Sequence, residues 1–251
     1  MALHPLADRF ASVADEYELG RPEYPPGVVG ALTAELGLRA GSKVLDLAAG
    51  TGKLSRALFA GGLDVIAVEP QQALRERLVA SVGAERVHDG LAEAIPRPDN
   101  SVAAVTVADA IHWFDPVPAF AEIARVLADG GSLAVLTTVP DWSGASWAEE
   151  VGRLLAELRP AHPHFEGPPW QQPLRESGRF EEPRELRITW WREASPEQMV
   201  AHVGSLSWIA ALEEPERAAA LSRVAALIGQ GTTPELLPAH VLIGLAAVRP
   251  R

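Results

Sequence analysis

The chain contains no cysteine. Disulfides, thiolate zinc sites and cysteine nucleophiles are therefore excluded together. Basic residues are scarce beside acidic ones: 22 Lys and Arg stand against 33 Asp and Glu, for a formal net charge of −11. Nucleic-acid binding needs a basic surface that displaces counterions from phosphates, so DNA and bulk RNA are not expected partners. No apolar run approaches the roughly 18 residues that a membrane helix requires. The opening residues, MALHPLADRF, show no basic stretch followed by an apolar one, so no secretory signal is expected. Together these absences predict a soluble cytoplasmic protein without nucleic-acid or membrane partners. They leave the oligomeric state open.

What is present is a chain of 251 residues, 47% of them hydrophobic, long enough for one large α/β domain with a real core. KVLDLA, DVIAVEP, ERVHDG, VAAVTVAD (102–109) and SLAVLTTV read as short buried strands. Between them, KLSRALFAGG, QQALRERLVASVG and VPAFAEIARVLADGG read as helices. Strands alternating with helices predict a parallel sheet covered on both faces. The alternation ends near Val139. Residues 158–183 carry six prolines, Pro160 among them, and read as an irregular loop. RELRITWWRE (184–193) alternates like a strand, SPEQMVAHVGSLSWIAAL and EPERAAALSRVAALIGQG read as helices, and HVLIGLAAV as the last strand.

The stretch from Val44 to Pro70 concentrates the chemistry. A strand enters the turn AAGTG, a helix follows, and a second strand stops at Glu69. A glycine turn lets backbone approach a ligand closely, and the helix behind it offers free N–H groups to an anion. An acid at the end of the second strand accepts hydrogen bonds from ribose hydroxyls. Both a nicotinamide dinucleotide and S-adenosylmethionine fit these features. Dinucleotide loops favour a third glycine, but GTGKLS places Ser55 there. Asp46, inside the first strand, has no use beside a pyrophosphate. It suits the cationic amino group of S-adenosylmethionine, directly or through the loop that it steadies.

VLDLAAGTG with the following VEP resembles the cofactor-binding motifs of class I S-adenosylmethionine-dependent methyltransferases. The resemblance continues in FASVADEYELGRPEYP (10–25), GLAEAIPRPDNSV (90–102), DAIHWFDP (109–116) and EIARVLADGGSLAVL (122–136). It is similar above all to small-molecule methyltransferases of the ubiquinone-biosynthesis and trans-aconitate type, and the back third matches loosely. The resemblance implies a doubly wound, Rossmann-like, seven-stranded and mostly parallel sheet with helical additions. It implies one domain over 1–251, with 10–140 as cofactor-binding core and 141–251 as acceptor side. The implied reaction moves a methyl from S-adenosylmethionine to an O, N or C atom of a small molecule, leaving S-adenosylhomocysteine.

Around that cofactor the resemblance places Tyr17 and Arg21 on a covering N-terminal segment, where Arg21 can pair with the carboxylate; the alternative makes RPEYP a rigid connector between helices. Ala48, Gly50 and Gly52 form the loop, Asp46 supports it, and Glu69 with Pro70 follows the second strand. Ala92 and Glu93 lie near the adenine, and Asp109 ends the fourth strand. Two positions depart from the pattern. Ala48 replaces a glycine, a mild change if φ there is negative, and Leu91 stands where many members carry an Asp. His112 and Trp113 follow the fourth strand, on a loop that in this fold faces methyl donor and acceptor. His112 is the candidate catalytic residue, able to contact the acceptor or take its proton. The alternative packs it beside the next helix, with Asp115 as N-cap before Pro116.

No metal is expected, because Trp142 follows Asp141 where catechol-type members have Asn. His162 and His164, flanked by prolines, read as part of a mobile loop. Trp190, Trp191 and Trp208 are candidates for an aromatic acceptor pocket. Two other functions compete: a nicotinamide oxidoreductase, disfavoured by Ser55 and by the lack of a Tyr-x-x-x-Lys pair, and a cofactor-binding module without methyl transfer.

Overall fold

A computed structural model describes residues 4–144, 146–159, 162–229 and 235–250. The chain forms two compact units. The larger contains Glu23–Thr138, Gly167–Ile188 and Val241–Arg251; the smaller contains Met1–Pro22, Val139–Glu166 and Thr189–His240. In chain order, α1 (Pro5–Asp8), α2 (Ala14–Gly20) and α3 (Pro26–Glu35) come first. Then β1 (Lys43–Leu47), α4 (Lys53–Ala60), β2 (Asp64–Val68), α5 (Gln72–Val82) and β3 (Val87–His88) alternate. β4 (Val102–Ala108), α6 (Pro116–Val126) and β5 (Leu127–Pro140) continue the pattern. The remainder is α7 (Ser146–Leu158), α8 (Pro163–Glu166), α9 (Gln171–Glu176), β6 (Arg184–Ala194), α10 (Pro196–Gly204), α11 (Ser207–Ala210), α12 (Glu216–Ile228) and β7 (Glu235–Ala247).

The strands form one seven-stranded sheet in the order β3-β2-β1-β4-β5-β7-β6. The pairs β2–β3, β1–β2, β1–β4 and β4–β5 are parallel. The seven-stranded, mostly parallel expectation is met. Val44, Leu45 and Leu47 of β1 and Val105 and Val107 of β4 are fully buried, as expected of strands covered on both faces. The chain winds outward in opposite directions from β1 and β4, and sheets wound this way bind ligands outside the carboxyl ends of those strands.

Several boundaries differ from the sequence reading. The helix begun at Pro116, with the Asp115 side chain accepting from Val117 N–H (3.3 Å), stops at Val126. LADGG does not extend it, because Leu127 pairs with Val102 of β4 and Gly130 turns at φ +74°. α7 is not among the elements expected from the sequence, although Trp147, Ala148, Val151, Leu154 and Leu155 are buried at helical spacing. The proline-rich stretch folds two short helices, and Leu174 of α9 is fully buried in the core with Phe180 and Phe120. Pro160 lies outside the described residues. The single helix expected from Ser195 breaks at Leu206, whose extended backbone (ψ 131°) separates α10 from α11.

Candidate functional site

The loop after β1 reverses through left-handed backbone at Ala48 (φ +56°), Gly50 (φ +58°) and Gly52 (φ +92°). The condition under which Ala48 is a mild replacement, a negative φ, is not met. A left-handed L residue costs roughly 1–2 kcal/mol. The loop holds that shape because Ala49 N–H donates to the Val68 carbonyl of β2 at 3.1 Å. Ala48→Gly should therefore raise unfolding stability by about 1 kcal/mol in urea titrations; an unchanged midpoint would mean that the strain is relaxed elsewhere. At Gly52, which opens α4, the φ of +92° favours glycine, and a Cβ would also press on Leu78 Cδ1 of α5 at 2.7 Å.

Asp46, in the middle of β1, is 1% exposed. Its Oδ2 accepts from Ser55 Oγ of α4 at 2.5 Å and its Oδ1 from Thr106 Oγ1 of β4 at 3.0 Å. Burial pushes its pKa up to about 6, against the pull of these hydroxyls. Both carboxylate oxygens thus tie β1 to the helix behind the loop and to the strand beside it. Ser55 is more than the mark of a missing glycine, and Thr106 carried no signal in the sequence.

Glu69 is 4% exposed at the end of β2. Gly50 N–H donates to its Oε2 and Gln71 N–H to its Oε1, each at 2.9 Å. Burial raises its pKa to about 7; the two N–H groups and Arg75 oppose this, and Asp46 adds to it. Each oxygen keeps lone-pair capacity beyond the bond that it accepts. Arg75 holds the turn from outside, donating to the carbonyls of Glu69 (3.0 Å) and Pro70 (2.5 Å) and pairing with Asp89 (3.0 Å).

Farther along the strand ends, Ala92 is buried and Leu91 half-buried. Glu93 Oε1 accepts from Asp115 N–H at 2.8 Å, linking the segment after β3 to the start of α6. His112 sits half-buried on a short 3₁₀ turn, Ile111–Trp113, with its ring 4.4 Å from that of Trp113. Asp109 adopts φ +53°, and its Oδ1 accepts from Thr138 N–H at 2.7 Å. Asp141 accepts from the N–H (3.0 Å) and hydroxyl (2.6 Å) of Ser143. Among the described residues, no group of three His, Cys, Asp or Glu is placed to hold a metal ion.

Tyr17 and Arg21 belong to the smaller unit. The Arg21 guanidinium lies 5.4 Å from the Tyr17 ring and donates to Ser205 Oγ (3.0 Å) and to the Ser205 carbonyl (3.3 Å). The following connector supplies a residue that the sequence reading missed. Glu23 Oε1 accepts from Lys53 Nζ at 2.8 Å and from Arg56 NH2 at 2.7 Å, pinning the connector to α4. His162 does not lie on a loose loop: it is buried, with Nε2 3.0 Å from Ser207 Oγ and its ring 5.3 Å from Trp208. Trp191 is 63% exposed.

The methyltransferase domain family matches residues 45–135, the span that holds the glycine loop, Glu69 and His112. An uncharacterized methyltransferase of Mycobacterium tuberculosis is 35% identical over 219 residues, covering 87% of this chain and 85% of its own. A structure solved as a candidate type II methyltransferase, from Anaeromyxobacter dehalogenans, is 26% identical with a TM-score of 0.63, covering 91% of this chain and 97% of its own. Phosphoethanolamine N-methyltransferase 2 of Haemonchus contortus, solved with phosphomonomethylethanolamine and S-adenosylhomocysteine, shares the fold at a TM-score of 0.59 and 17% identity, covering 100% of this chain and 61% of its own. Neither the oxidoreductase reading nor the non-catalytic one finds support among these relatives. No helix among the described residues is long and apolar enough to cross a membrane. The likeness to the mycobacterial relative runs well beyond the glycine loop, so the chain belongs to the S-adenosylmethionine-dependent methyltransferase family, and its reaction is methyl transfer from that cofactor to a small-molecule acceptor.

Proposed function

We propose that the larger unit holds S-adenosylmethionine along the loop 48–52, with Glu69 taking the ribose hydroxyls and His112 on the acceptor side. One observation carries this reading: a buried carboxylate, held by the Gly50 N–H at 2.9 Å, keeps unspent lone pairs beside a loop in left-handed backbone. A carboxyl raised to about 7 at these strand ends has the signature of a functional group. Asp46 acts by holding the loop. Ala48, Pro70, Ala92, Glu93 and Asp109 line the same strand ends and complete the proposed surround. The acidic composition supports the rest of the reading, a cytoplasmic enzyme with neither nucleic-acid nor membrane partner.

The bound cofactor supplies a methyl on a sulfonium, which is already a strong leaving group. The chain's own residues then have to bind, align the acceptor in line with the methyl and exclude water. A base is needed only where the acceptor must lose a proton. Calorimetry should give binding of S-adenosylhomocysteine and none of NAD; the reverse would sink the assignment.

His112 has a separate test. His112→Ala should cut turnover while cofactor affinity stays within about threefold, less than 1 kcal/mol. If the imidazole takes the proton, the wild-type rate falls as acid protonates it, and the variant lacks that limb. If it only orients the acceptor, the rate falls and the profile keeps its shape. Wild-type turnover in the variant would return His112 to a packing role.

A further inference from the structure

The smaller unit contains positive charge for which the described structure provides no counter-charge. Along β6 the side chains alternate, and Leu186, Ile188 and Trp190 share a half-buried face with Ala194. Arg192 occupies the position in that row where an apolar residue belongs. It is 9% exposed. One guanidinium nitrogen donates to the Gly20 carbonyl at the end of α2, and its other N–H groups take no partner among the described residues. His202 of α10 is 2% exposed, neither ring nitrogen has a side-chain partner, and its ring lies against the Gly20 carbonyl. Its place is fixed, because α2 and α10 touch backbone to backbone: a Cβ on Gly20 would lie 2.1 Å from His202 N. Arg21 begins where α2 ends, its guanidinium held by Ser205. The Trp142 ring lies 6.2 Å from that of His202.

Among the described residues, no carboxylate hydrogen-bonds to Arg192, His202 or Arg21, although Glu18 of α2 is on the same helix end as Gly20. The charge acting on Arg192 is Arg21, and those acting on His202 are Arg21 and Arg192. Glu16 and Glu214 are taken up by Arg217, at 3.0 and 3.7 Å. Burying an arginine without an opposite charge is costly, and structural arginines are ordinarily paired. An inward-pointing charge also discourages strand addition at a sheet edge, and β6 is an edge strand. That role asks for one charge on β6, and leaves unexplained a second arginine and a buried histidine on other elements.

We infer that Arg192, His202 and Arg21 form a receptor for a small anion, taking a carboxylate or phosphate group. Arginine's planar fork and an imidazole N–H match the paired oxygens of either group. Burial lowers the Arg192 pKa to about 10 and holds His202 well below the ordinary imidazole value. The Gly20 carbonyl pulls the His202 value the other way. A bound anion would raise both. The inference does not rest on the assignment of the glycine loop.

The test is thermal melting of the full chain at constant ionic strength, with inorganic phosphate or malonate titrated against chloride. The wild type should show a saturable rise of about 2–4 °C. Arg192→Met should melt at least as high as wild type without the anion and gain nothing from it; Arg192→Lys should keep a reduced response. His202→Gln runs the same comparison if Arg192→Met fails to fold. S-adenosylhomocysteine and 5′-methylthioadenosine, which lacks the carboxylate, separate the sources. A tenfold loss of affinity for the first alone in Arg192→Met assigns the anion to the cofactor, and equal affinities assign it to a second molecule. The inference is overturned if phosphate and malonate act no more strongly than chloride on the wild type, or equally on wild type and variants.

Discussion

Glu69→Ala is expected to weaken S-adenosylhomocysteine binding by roughly 1.5–3 kcal/mol, the range for hydrogen bonds to a charged group. The same substitution should leave the fold intact, because Glu69 sits at a strand end and its partners are backbone N–H groups that water can reach once the carboxylate is gone. Titration calorimetry measures the effect directly; an unchanged dissociation constant would show that the acid does not reach the ribose. A pH dependence should accompany it. With a pKa raised to about 7, Glu69 ionises only as the solution passes neutrality. Ribose hydroxyls donate best to the ionised carboxylate, so wild-type affinity should rise between pH 6 and 8 and Glu69→Gln should flatten the rise.

The stability of the free protein should move in the opposite direction. Folding raises Glu69 from 4.5 to about 7 and Asp46 from 3.8 to about 6, so the folded chain binds more protons than the unfolded one in that window. Their contribution to stability is complete below the unfolded values and is lost as pH rises through 6 and then 7. Melting temperature should therefore fall from pH 5 to pH 8 through these two groups, and less steeply in Glu69→Gln.

Asp46→Ala should destabilise the larger unit by about 2–4 kcal/mol, because Ser55 Oγ loses its acceptor in a dry interior and Thr106 Oγ1 keeps only the Leu45 carbonyl at 3.4 Å. Ser55 Oγ and Thr106 Oγ1 lose the carboxylate that joins α4, β1 and β4. Asp46→Asn keeps one acceptor and should lose about half as much. Part of the loss is offset at high pH, where ionised Asp46 is itself costly to bury. Urea unfolding followed by circular dichroism measures the difference; a midpoint unchanged in Asp46→Ala would mean that the hydroxyls find other partners.

Much of the larger unit was legible in the sequence because its signals are local. A run such as VLDLA entering AAGTG is a strand meeting a turn whatever lies around it, and an acid after DVIAV ends a buried strand. Asp115 beside Pro116 caps a helix by contacts within its own turn. Such features need only neighbouring residues and the periods of helix and strand, so parallel sheet, glycine loop and candidate acid could be placed by number. The family resemblance added the rest of the proposed surround on the same local motifs.

What only the tertiary structure decided depends on residues far apart in the chain. The sign of φ at Ala48 is set by a hydrogen bond from its neighbour to Val68. The partners of Asp46 come from another strand and from the helix behind the loop, and Glu23 meets Lys53 and Arg56 across 30 and 33 residues. LADGG leaves the helix because Leu127 finds Val102. Arg192, His202 and Arg21 gather only because α2, β6 and α10 pack within the smaller unit, Arg192 reaching Gly20 across 172 residues. Local pattern fixes which element a residue joins. Which side chains then share a buried volume, and whether charge there is balanced, is settled by packing between elements, and no sequence period records it.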